Sequence, residues 1–114
     1  MKKEIPTKLK KLGELVKALE LKLEERGFRI TASEHGVNIG QFLDHNIPNI
    51  ISACQGLLRG ESSERHYLRL QKEFAIVFRN LDKIKSLPQA KALSSEIEEI
   101  ESILKHLHTI YKEI

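Results

Sequence analysis

A chain of 114 residues is the size of one domain and too short for two independent cores. With 40% hydrophobic and 31% charged residues, four phenylalanines, two tyrosines, no tryptophan, six glycines and three prolines, its composition excludes a disordered chain and is poor in the turns of an all-β domain. A formal charge of +3 and a pI near 9.0 exclude a histone-like protein or a polybasic membrane anchor and point to no particular partner.

The first helix is predicted to start near Thr7, just after Pro6, and to carry Leu9, Leu12, Val16, Leu19 and Leu23 on one face, at steps of three and four. It should end at Gly27, with Phe28 making the contact that accompanies a left-handed stop. Thr31-Ala32-Ser33-Glu34 fits a capping box and predicts the start of a second helix, loosened by Gly36 and Gly40 and broken near Pro48, with Asn46 as a new cap. Its later part places Ile47, Ile50, Ile51, Cys54, Leu57 and Leu58 on one side and stops at Gly60. It is expected to be the most buried helix. The third helix, from about Ser62 to Lys85, has a regular seam of Tyr67, Leu70, Phe74, Val77, Leu81 and Ile84. Ser86-Leu87-Pro88-Gln89 should then provide a serine cap, a first-turn proline and a glutamine at the third position. In the fourth helix Ala90, Leu93, Ile97, Ile100, Leu104, Leu107, Tyr111 and Ile114 follow a heptad-like repeat.

Four amphipathic helices joined by short loops predict an all-α fold, an antiparallel up-down four-helix bundle, as a single domain over residues 1–114. No apolar run approaches the roughly 20 residues that span a bilayer. The start of the chain lacks a signal-peptide core, and its lone cysteine cannot form an internal disulfide. A cytoplasmic location with no membrane partner is the expectation.

The pattern most relevant to function lies on the third helix. At about 100° per residue, Arg65, Arg69, Lys72, Arg79 and Lys83 fall on one line opposite the apolar seam, with Ile76 in its middle, over roughly 27 Å. Such a stripe is either a solvated face or a track for a phosphate backbone. No aromatic residue interleaves with it to stack bases. Lysines 3, 8, 10, 11, 17 and 22 on or near the first helix complement glutamates 96, 98, 99 and 101 on the fourth, so these two helices are candidates for neighbours. Ile103 and Ile110 widen the stripe of the fourth helix and Leu21 falls outside that of the first, which makes the three residues a candidate subunit interface.

The five histidines, His35, His45, His66, His106 and His108, have no spacing that sets two ligands on one helical face, so no metal is expected. Cys54 reads as a small buried residue. No glycine-rich phosphate loop, paired catalytic carboxylate motif or serine-centred elbow is present. One segment, Arg59-Gly60-Glu61-Ser62-Ser63-Glu64-Arg65-His66 followed by Tyr67, resembles the Arg-x(4–6)-His motif of HEPN domains. That resemblance implies a helical, often dimeric ribonuclease, with His66 as acid or base and Arg59 stabilising the phosphate. Gly60 stands where that family carries a polar residue.

The expectation is therefore a non-enzymatic helical interaction or assembly module, a homo-oligomer or the small subunit of a complex. A nucleic-acid-binding accessory protein acting through the basic stripe is the alternative, and a HEPN-like ribonuclease the third reading.

Overall fold

The computed structural model describes residues 3–26, 33–34, 37–61 and 63–113. These form an antiparallel four-helix bundle measuring 42 × 25 × 18 Å. Helix α1 spans Glu4–Glu25. Two short extended pieces, β1 (Ser33–Glu34) and β2 (Val37–Asn38), pair antiparallel. The second bundle helix is composite: α2 (Ile39–Gln41), a π turn over Phe42–Asn46 and α3 (Ile47–Leu58). Helix α4 covers Glu64–Lys85, and a 3₁₀ turn over Pro88–Leu93 leads into α5 (Ser94–Ile110), which ends in a 3₁₀ turn at Tyr111–Glu113.

Cross-helix pairs fix the directions. Glu4 meets His106 and Lys22 meets Glu96, so α1 and α5 run antiparallel. Lys85 reaches Glu101 while Tyr67 faces Tyr111, so α4 and α5 do the same. Asn46 with Asn80, and Ala53 with His66, orient α3 against α4. Helix α1 also borders α3, which closes a four-cornered ring. The expected seams fill its interior. Leu12, Ile47, Ile50, Leu70, Phe74, Val77 and Leu104 are fully buried, and each such side chain contributes about 1.5–3 kcal/mol relative to exposure. Among the described residues no helix is long and apolar enough to cross a membrane.

Several boundaries differ from the sequence expectation. Helix α1 begins at Glu4 rather than Thr7, because Pro6 in the first turn lacks only a donor that would have no intrahelical partner there. The earlier start buries Ile5. No helix begins at Ser33 and Glu34, which lie in β1; Thr31 and Ala32, like Gly27, Phe28, His35, Gly36, Ser62 and Ile114, are outside the described residues. The cap is Asn38, whose Oδ1 accepts from the backbone N–H of Gln41 at 3.0 Å.

The interruption near Pro48 takes the form of the π turn. The Ile47 N–H donates to the Phe42 carbonyl, five residues back. A proline ring in a regular helix collides with the carbonyl four residues earlier, here that of Asp44, and a widened turn relieves the collision. Asn46 therefore stays helical and is not a cap.

The stop at Gly60 is as expected. Its φ of 95° is left-handed, and Gly60 N–H to Leu57 O with Glu61 N–H to Gly56 O, both 3.0 Å, make a Schellman closure. At the next reversal Ser86 ends α4, its hydroxyl donating to the Lys83 carbonyl at 2.6 Å. Extended Leu87 precedes the 3₁₀ turn without a side-chain cap. Ser86 is thus not the N-cap expected from the sequence, and the side chain of Gln89 lies outside the described part.

Candidate functional site

Burial of Leu70, Phe74, Val77, Leu81 and Ile84 fixes the rotation of α4. The opposite side is then obligatorily outward, and Arg65, Arg69, Lys72, Arg79 and Lys83 are all exposed there. The acids of the same helix, Glu64, Glu73 and Asp82, lie about 80–100° away from that line by helical geometry. Among the described residues no carboxylate pairs with Arg65, Arg69, Lys72 or Arg79. Their charge is not spent inside the fold.

Two depressions border this line. One, of about 710 Å³, is lined by Ser63, Arg65, His66, Leu68, Arg69, Lys72, Glu73 and Ile76. The other, of about 330 Å³, lies between α4 and the end of the chain, lined by Glu64, Tyr67, Leu68, Gln71, Tyr111 and Lys112. Leu68 is 52% exposed and forms the ridge common to both.

The second depression belongs to an aromatic seam that sequence reading missed. Ring centroids of Tyr67 and Tyr111 are 6.3 Å apart, Tyr111 and Phe74 5.2 Å, Phe74 and His108 5.0 Å, and His108 and Phe78 5.5 Å. Tyr67, Phe74 and Phe78 follow steps of seven and four on α4, and the antiparallel hairpin brings His108 and Tyr111 opposite them. The signal was present, but it needed the pairing of two helices. The Lys112 ammonium lies 5.9 Å from the Tyr111 ring centre. Burial raises the Tyr111 phenol above its ordinary value, so it stays neutral.

The three candidate interface residues separate. Ile103 and Ile110 are only 7% and 3% exposed and belong to the core. Helix α5 borders both α1 and α4, so its wide stripe is consumed within the chain. Leu21 is 57% exposed. The complementary charges of the outer helices meet once: Lys22 pairs with Glu96, and that ammonium, with Glu96's own backbone, holds the carboxyl below its ordinary value. Glu101 turns instead to Lys85 at 3.0 Å and Lys105 at 3.8 Å.

Arg59 and His66 are engaged locally. Arg59 caps α3 and lies 3.8 Å from Glu61. The His66 ring sits over Gly56, where an added Cβ would come within 3.3 Å of it. Its Nε2 donates to the Ala53 carbonyl at 3.0 Å, since a carbonyl can only accept. Cys54 is fully buried, and burial pushes its thiol up to about 12.

His106 Nε2 lies 3.4 Å from the Glu4 carboxylate without a hydrogen bond. Among the described residues no three His, Cys, Asp or Glu side chains form a ligand set. Glu20 approaches Asp44, which the π turn carries. Burial first, then the hydrogen bond to Asp44 and the negative charges of Asp44 and Glu24, push the Glu20 carboxyl up to about 7 against the pull of Lys17.

Comparison with family models, with curated proteins and with solved structures returns no match in any of the three.

Proposed function

We propose that this chain is a non-enzymatic helical interaction module whose outer α4 face binds the phosphate backbone of nucleic acid. The observation that carries the proposal is the line of exposed cations, at least four of them without a carboxylate partner among the described residues. Closely spaced cations displace the counterions condensed on a polyanion, and arginine adds bidentate contacts to phosphate oxygens. Self-assembly through the α5 flank is the weaker reading, because Ile103 and Ile110 have no surface left to offer. The groups best suited to carry chemistry are tied into the fold, His66 by Ala53 and Cys54 by burial, which supports a binding role over a catalytic one. A cytoplasmic location belongs to the same proposal, and a lone buried thiol is compatible with a reducing compartment.

Charge reversal tests it. Arg69→Glu combined with Lys72→Glu should weaken binding of a labelled oligonucleotide by more than about tenfold and reduce the salt slope by about 0.7–0.9 per lost contact. Lys10→Glu with Lys17→Glu, exposed positions on α1, should have a much smaller effect. Equal losses from both pairs would contradict a binding surface on α4.

A further inference from the structure

We infer that the nucleic acid is single-stranded, with its phosphates on the α4 cations and one base seated in the depression between Tyr67 and Lys112. The inference rests on the proposed function and goes beyond it by naming the strand form and a base subsite. Its basis is the juxtaposition of two surfaces on either side of one residue. Leu68 separates the depression lined by Arg65, Arg69 and Lys72 from the one lined by Tyr67, Gln71 and Tyr111. On a helix Leu68 neighbours Arg65 and Lys72 at spacings of three and four residues, about 5–6 Å between Cβ atoms. That is the order of the distance from a backbone phosphate to its own base.

The chemistry on the two sides of the ridge differs. One side offers cations and the other an aromatic and apolar floor. Tyr67 is half-buried, backed by Tyr111 and flanked by exposed Leu68, so a planar base would cover apolar surface that water now wets. Exposed Gln71 supplies an amide that can donate and accept along the edge of a base, and Lys112 places a cation beyond Tyr111. Glu64, the acid lining the depression, can accept from a base amino group. In a duplex the bases are stacked inside and cannot reach such a floor, whereas a single strand turns them outward. A cationic track beside an aromatic platform is the arrangement that single strands use.

The chain has two tyrosines, and both line this depression, so their ring signals in NMR spectra report on it. The experiment compares a base-bearing single strand, the same strand made abasic, and the matching duplex, each titrated into the intact chain at low salt. The base-bearing strand should bind about tenfold more tightly than the abasic one, within the range for one stacked base, and should shift the tyrosine ring signals. Gln71→Ala, at an exposed position that lines this depression and not the cationic one, should narrow that difference and leave abasic binding unchanged. Abasic or duplex binding as tight as that of the base-bearing strand, with unmoved tyrosine signals, would overturn the base subsite and leave the phosphate-binding face standing. No binding of any strand would overturn both.

Discussion

The Asn80 side-chain amide donates to Oδ1 of Asn46 across 2.9 Å and ties the widened turn of the second helix to α4. Asn46 is a buried polar side chain at 7% exposure, and a buried polar group without a partner is costly. Asn80→Ala should therefore destabilise the bundle by about 1–3 kcal/mol in urea denaturation. A loss below about 0.5 kcal/mol would show that water replaces the amide.

Two glycines should respond to alanine in opposite directions. Gly60 has φ 95°, a conformation that a side chain resists, so Gly60→Ala should cost about 1–2 kcal/mol. Gly13 lies mid-helix in α1, where an added Cβ meets nothing within 4 Å. Gly13→Ala should stabilise by about 0.5–1 kcal/mol. Thermal melts of the two variants check both signs.

Glu20 should make stability depend on pH. Its folded value of about 7 lies above the ordinary 4.5, so the folded chain holds a proton that the unfolded chain has released between those limits. The contribution is fully present below 4.5 and is lost as pH rises through about 7. Glu20→Gln keeps a donor toward Asp44 without the charge. It should flatten the fall in melting temperature across that window and exceed the parent above it. An unchanged slope would mean that other groups set the pH response.

The placement of Ile103 and Ile110 also has a measurable consequence. Ile103→Ala should lower stability by about 2–4 kcal/mol as a core cavity does, with a midpoint independent of protein concentration. A concentration-dependent midpoint would return Ile103 to a subunit interface. Leu21→Glu, at an exposed position, should stay within about 0.5 kcal/mol of the parent.

Periodicity made the four seams legible, because an apolar face is a property of one helix. Leu70, Phe74, Val77, Leu81 and Ile84 are buried as the spacing requires, and Gly60 ends its helix as glycine chemistry requires. What failed depended on partners elsewhere. Thr31-Ala32-Ser33-Glu34 has the local form of a cap, yet Ser33 and Glu34 pair with Asn38 and Val37. Asn46 reads as a cap, yet its backbone stays helical and its side chain is taken up by Asn80. Ile103 and Ile110 look like surplus surface until α5 is seen to border both α1 and α4. The cations of α4 were legible as a line, whereas the aromatic depression beside them, made by residues 44 positions apart in the case of Tyr67 and Tyr111, was not.

A working phosphate-binding surface on α4 makes the affinity of the intact chain for a mixed pool of short labelled RNA and DNA depend on salt. Binding whose logarithm falls linearly with the logarithm of salt, with a slope of about −2.8 to −4.5 for four or five phosphate contacts, is the predicted result. Absence of binding at low salt, or an affinity indifferent to salt, would contradict it.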